Sequence, residues 1–168
     1  ISVTGVQTCA LPILYADPNV LNEPNSAGRQ MVAHFATPNV DVNGNFIDLA
    51  NRKNVSADIS PTAGQMPRAL GLALASKCFR NIQQLWNKTD LSHNGNEVCF
   101  CTIGDASTSE GHFWETVNAA GVMQVPLAIF VYDDGYGISV PNKYQTTKSS
   151  ISEVLQGFQK QQHTNGLN

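Results

Sequence analysis

Two unbroken apolar stretches, residues 98–103 (VCFCTI) and 125–132 (VPLAIFVY), set the pattern of this chain. Neither alternates as a half-solvated strand does, and each has the length and apolar content of a parallel strand covered on both faces. Residues 110–123 between them are of helix length, and Ser107-x-x-Glu110 offers a capping box at its start. Upstream, Met66, Leu70, Ala73, Leu74 and Cys78 recur near helical spacing and predict a helix over residues 62–80. Pro61 and Pro67 are tolerated at its beginning, where amide donors have no partner within the helix. Residues 81–96 read as a polar connector with Trp86 as its one large anchor. Past Val140 a loop leads to Ser150-x-x-Glu153, a second capping box that opens a short helix through Phe158. Residues 17–62 are rich in Asn, Asp, Pro and Ser and show little periodicity; so long a loop in a compact domain is usually functional. Helix, strand, helix, strand, helix is the order of an α/β fold, a doubly wound parallel sheet. Two strands alone leave both sheet edges unpaired, and the polar residues 159–168 supply no closing element, so the fold reads as truncated.

The N-terminal residues change that picture. Residues 3–13, VTGVQTCALPI, read like the translation of a common short-read sequencing adapter, so residues 1–13 are set apart as an adapter-derived artefact and are expected to have no partner in the fold. Residues 14–168 are then one partial domain. The apolar run 9–14 has no basic flank and is too short to span a membrane, so it is no signal peptide or membrane helix.

Charge and cysteines narrow the classes further. A net charge of −3, without a basic stripe or a polybasic amphipathic segment, gives no reason to expect nucleic acid or a membrane as partner. Of four cysteines, Cys9 lies in the adapter-like stretch, Cys78 in the helical pattern, and Cys99 and Cys101 in an apolar strand. No Cys-x-x-Cys pair or neighbouring His completes a zinc set, so buried reduced thiols in a cytoplasmic protein are expected. Among the four histidines, His93, His112 and His163 read as structural or surface residues.

The chemistry sits after the two apolar strands. Ligands of an open parallel sheet bind at the carboxyl ends of its strands. Asp105 follows the first strand, in Gly104-Asp105-Ala106-Ser107, and Asp134 follows the second, in Asp133-Asp134-Gly135-Tyr136-Gly137. If the strands are neighbours, both carboxylates face one edge. Magnesium takes oxygen ligands in octahedral array and shares them with phosphates. Asp105, Asp134, the carbonyl of Tyr136, two diphosphate oxygens and a water would complete such a set. Gly104 and Gly111 would admit a ligand close to the backbone, near amides at the start of the second helix. Each motif alone is an ordinary turn. Together, at this separation and with Glu115 and Asn118 between, they are specific.

The run GDASTSEGHFWETVNAAGVMQVPLAIFVYDDGYGIS, with GRQMVAHFA (28–36) and SADISPTAGQMPRALGLALASK (56–77) before it, resembles the alpha-type part of the thiamine-diphosphate-dependent component of 2-oxo-acid dehydrogenases. It is similar to branched-chain and pyruvate-type enzymes and to bacterial forms with alpha and beta parts fused, over nearly all of residues 24–158. The resemblance implies thiamine diphosphate and Mg2+ as cofactors, with Asp105, Asp134 and Tyr136 at the metal positions. Gly104, Ala106, Ser107 and Glu110 would line the diphosphate pocket. Ser60, Pro61 and Thr62 would lie near the thiazolium, with Gln65 in the turn that follows. Arg29 and His34 would face the cofactor, His34 as the catalytic group that orients or protonates the bound intermediate.

The implied enzyme is an oxidoreductase that decarboxylates a 2-oxo acid and passes the acyl group to a lipoyl carrier with a disulfide acceptor. Its partners would be the 2-oxo-acid substrate, a lipoylated acyltransferase and a beta-type subunit or fused domain, in an oligomer. The activating glutamate comes from the beta-type part, so this fragment is expected to be inactive alone. The chain departs from the family pattern in several places. Gly-Asp-Ala stands for Gly-Asp-Gly, and Asp133-Asp134 for an Asn pair, which adds charge that favours magnesium but repels diphosphate. Tyr132 stands where some members have an Arg, and Thr62 where some have a bulky apolar residue. A second active-site histidine of the family lies beyond residue 168. Two alternatives stay open: a transketolase-like thiamine enzyme, and a non-catalytic remnant that binds magnesium and diphosphate.

Overall fold

The computed structural model describes residues 2–4 (backbone only), 38–51, 54–56, 59 and 61–168. Four parallel strands form its sheet: β1 (Ser2–Thr4), β2 (Asn54–Val55), β3 (Cys99–Gly104) and β4 (Leu127–Tyr132), in the spatial order β2-β1-β3-β4. The register of the central pair sets Cys99 opposite Leu127 and Gly104 opposite Tyr132. β1 corrects one expectation. Ser2 and Val3 pair with Asn54 and Val55 on one side, and Ser2–Thr4 pair with Cys99–Cys101 on the other, so part of residues 1–13 does have partners in the fold. The turn-rich segment before the first long helix likewise contributes a strand, β2, too short and polar for periodicity to reveal.

Helix α1 (Gln65–Asn81) connects β2 to β3, and α2 (Gly111–Met123) connects β3 to β4. Both connections step across the sheet in the same direction. A right-handed crossover therefore puts both helices on one face, and they pack together there. Cys99, Cys101 and Ile103 point into that layer with Met66, Ala69 and Ala73 from α1 and Phe113 and Val117 from α2. The buried positions of α1 are Met66, Ala69, Ala73 and Ser76. This stripe is rotated from the predicted one: Leu74 is exposed, and small residues at 69, 73 and 76 let the helix lie close on β3. The helix begins at Gln65 rather than at 62 because Ala63 takes a positive φ of 60° that breaks the helical run.

Other local expectations fare unevenly. Strand β4 is not covered on both faces; Phe130 and Tyr132 are 48% and 49% exposed, on the side away from the helices, where the Phe100 and Phe130 rings stack 4.3 Å apart. Trp86 is no anchor, being 51% exposed. Ser107 does not cap α2: residues 106–109 form a 3-10 turn, and Glu110 is the cap residue, without a side-chain hydrogen bond. The second capping site does form. Ser150 precedes α3 (Ile151–Leu155) and accepts from the Glu153 amide at 3.4 Å. Ser150→Ala is expected to cost about 1 kcal/mol, read as a lower urea midpoint at unchanged slope. Cys78, Cys99 and Cys101 are thiols rather than disulfide halves. Among the described residues no helix is long and apolar enough to cross a membrane.

Candidate functional site

The outgoing connections of β1 and β3 run in opposite directions across the sheet, so the carboxyl end of β3 lies at a topological switch point. Asp105 is the first residue past that strand. Its amide donates to the Tyr132 carbonyl at 3.0 Å, a step that continues the β3–β4 ladder and holds the two strand ends level. The carbonyl of Asp105 accepts from the amide of Thr108 at 3.0 Å and from its hydroxyl at 2.5 Å. Thr108 is itself buried, and it locks the turn that carries the aspartate. Asp105 is only 5% exposed, and among the described residues its Oδ2 has no hydrogen-bond partner. A buried carboxylate oxygen left without a donor is costly. A divalent cation is the kind of partner that would remove that cost.

The second loop folds back to meet the first. Asp133 and Asp134 are exposed, and each turns one oxygen onto its own loop: Asp133 Oδ1 accepts from the Gly135 amide and Asp134 Oδ1 from the Tyr136 amide, both at 3.1 Å. Gly135 allows this turn with a φ of 83°, which an L side chain rarely adopts. Strands β5 (Tyr136–Gly137) and β6 (Val140–Pro141) then form a short antiparallel hairpin. Gly137 sits so close to the first loop that a Cβ there would lie 2.6 Å from the Ala106 Cβ. The structure thus sets the first turn, at Ala106, against the second loop, at Gly137. Among the described residues, a Cβ at Gly104 would meet only the Ser107 hydroxyl, at 3.9 Å.

A third segment reaches the same edge. Gln65 Nε2 donates to the Thr102 carbonyl at 3.0 Å, tying the start of α1 to the last turns of β3. The Thr62 carbonyl lies 2.8 Å from His112 Nε2 in the first turn of α2. Pro61 and Thr62 therefore stand beside the start of α2, and both are exposed. Glu110, also exposed, is the cap residue of that helix. Arg29, His34 and Ser60 lie outside the described residues. Among the described residues no three His, Cys, Asp or Glu side chains gather as a metal cluster, so an ion here would need carbonyl and ligand oxygens beside its carboxylates. A cavity of about 570 Å3 elsewhere, between the helices and β4, is lined by none of these loop residues.

Sequence reasoning missed three supporting residues. Thr108 locks Asp105, and only its place in a Ser-Thr-Ser run after the strand hinted at a turn. His112, taken for a structural or surface residue, fastens Thr62. Gln145, within a polar loop, carried no periodic or motif signal at all.

Residues 21–160 match the profile of a protein family described as the dehydrogenase E1 component. The chain is similar to the 2-oxoisovalerate dehydrogenase subunit alpha of Bacillus subtilis, 29% identical over 136 residues, which cover 81% of this chain and 33% of that protein. It is similar also to the mitochondrial subunits of that name from Mus musculus, 28% identical over 82% of this chain and 25% of the relative, and Caenorhabditis elegans, 31% identical over 70% and 21%. The chain thus spans a third or less of the length of these relatives.

Proposed function

The chain belongs to the dehydrogenase E1 component family, and from that premise we propose that it is the diphosphate- and magnesium-binding part of a thiamine-diphosphate-dependent 2-oxo-acid dehydrogenase. The observation that carries this reading is the buried Asp105 at the switch point, with a carboxylate oxygen that has no hydrogen-bond partner among the described residues, next to Ala106, which packs on Gly137 of the second loop. These residues fit a divalent cation with a diphosphate. In this reading Asp105, Asp134 and the Tyr136 carbonyl hold the ion, and Gly104, Ala106, Ser107 and Glu110 surround the diphosphate. Pro61 and Thr62, fastened by His112, border the ring end of the cofactor with Ser60. Arg29 and His34 would approach from residues 28–36, His34 orienting or protonating the reacting group.

When bound, thiamine diphosphate supplies the carbanion chemistry for decarboxylation of a 2-oxo acid; the protein holds, orients and shields it. A branched-chain 2-oxo acid, after the names of the relatives, is the substrate class to test first. The acyl group would pass to a lipoylated acyltransferase, and a beta-type subunit or fused domain would complete the site in an oligomer, leaving this segment inactive alone. The fold proposed is the doubly wound thiamine-diphosphate-binding type; the all-parallel sheet and its switch point support it. Buried thiols at Cys99 and Cys101 support a reducing compartment such as the cytoplasm.

The family match favours this reading over the transketolase-like alternative. Calorimetry of thiamine diphosphate with Mg2+, on the full-length protein that carries this segment together with its beta-type part, tests it alongside 2-oxo-acid decarboxylation with an artificial electron acceptor. Binding with turnover is expected. Binding without turnover would point to the non-catalytic remnant, and no binding in the presence of Mg2+ would overturn the site.

A further inference from the structure

The geometry points to Gln145 as a positioning residue that sets the gap between the two loops and so selects the size of the bound cation. This rests on the magnesium reading above and goes beyond it. Gln145 Nε2 donates to the Val140 carbonyl at 2.8 Å, bracing the β5–β6 hairpin from within. Its own amide donates to the Asn142 carbonyl at 2.8 Å, and its carbonyl accepts from the Ser109 hydroxyl at 3.5 Å. One residue therefore touches the hairpin that presents the Tyr136 carbonyl and the turn that presents Asp105.

Gly137 is tightly packed. A Cβ at that position would lie 2.5 Å from Gln145 Nε2 and 2.6 Å from the Ala106 Cβ, so the amide and the methyl group both close on the face of the glycine where a side chain would stand. The conformation of Gly137 does not itself demand glycine, since its φ is not positive. Close approach is the reason for glycine here. Ala106 and Gly137 act as a spacer pair, and Gln145 keeps the hairpin pressed against it.

The distance between two fixed oxygen donors decides which cation they suit. Magnesium requires ligands at about 2.0–2.1 Å in near-octahedral array, whereas calcium accepts about 2.3–2.6 Å and looser geometry. Releasing the hairpin should therefore weaken magnesium more than calcium. A residue that served only general stability would lower affinity for both alike.

The test is made on the full-length protein, titrating Mg2+ and Ca2+ separately in the presence of thiamine diphosphate. Gln145→Met keeps length but cannot donate to the Val140 carbonyl. It is expected to weaken Mg2+ about tenfold, the scale of one lost hydrogen bond, with Ca2+ affinity little changed. Gly137→Ala forces the loops apart directly and is expected to lower the Mg2+:Ca2+ preference at least as much. Adding Ala106→Gly to Gly137→Ala should recover part of it. An unchanged preference in both Gln145→Met and Gly137→Ala would overturn the proposal while leaving the cofactor site standing. Wild-type protein that binds no thiamine diphosphate with either ion would overturn the site itself, and this proposal with it.

Discussion

Asp105→Asn, in the full-length protein, is expected to weaken Mg2+–thiamine diphosphate binding by more than about a hundredfold while leaving the ligand-free protein as stable as before, or more so. The two effects have opposite signs for one physical reason. Asp105 is buried, and among the described residues one of its carboxylate oxygens has no hydrogen-bond partner. Without a cation, that oxygen is removed from bulk solvent with no donor among those residues in return, a cost of about 1–3 kcal/mol for a group of this kind. An amide of the same shape carries no charge to desolvate, so the empty site loses nothing by the exchange. With a cation and a diphosphate present, the same carboxylate is the bridge between protein and ligand charge, and an amide oxygen is a poor replacement. Calorimetry with and without Mg2+, beside urea unfolding of the ligand-free protein, separates the effects. A variant that unfolds several kcal/mol sooner yet binds cofactor as wild type does would make Asp105 a structural residue and the site reading wrong.

Phe113→Ala is expected to cost about 3–5 kcal/mol of folding stability, a large share of what holds a domain together. Phe113 is fully buried in the first turn of α2, where it meets Met66 and Ile103 in the core cluster and the Trp114 ring edge-on, with centroids 5.1 Å apart. Its truncation removes the apolar surface buried there and leaves a cavity that neighbours on strand and helix can only partly close. The damage should reach the site as well. Phe113 fixes the start of α2 on the sheet, and the turn bearing Asp105 and Thr108 runs directly into that helix. Urea unfolding measures the loss; saturating Mg2+ and thiamine diphosphate should recover part of it, because ligand binds only the folded form. Phe113→Leu, which keeps most of the volume, should cost much less. Equal losses for both variants would show that buried volume is not what the position contributes.

The family, the central strands and the residues at their carboxyl ends were legible in the sequence because each is a local signal. Apolar runs such as VCFCTI mark strands whatever surrounds them, a Gly-Asp step at a strand end marks a turn, and Ser150-x-x-Glu153 encodes its own cap. What depended on contacts between distant segments was not legible. The buried stripe of α1 is set by how closely it lies on β3, so small residues at 69, 73 and 76 won over Leu74. Trp86 is large and apolar, but it stays 51% exposed because no described element covers it fully. The pairing of Ser2–Thr4 between β2 and β3 is decided by where the backbone hydrogen bonds find partners, which the origin of those residues does not determine. At the site, sequence alone singled out Asp105, Asp134 and Tyr136 as candidate donors. Only the tertiary structure showed that Thr108 locks the first loop, that His112 fastens Thr62, and that Ala106 and Gln145 close on Gly137. A donor's chemistry is a property of its residue type, whereas its distance from another donor belongs to the packing of the whole chain.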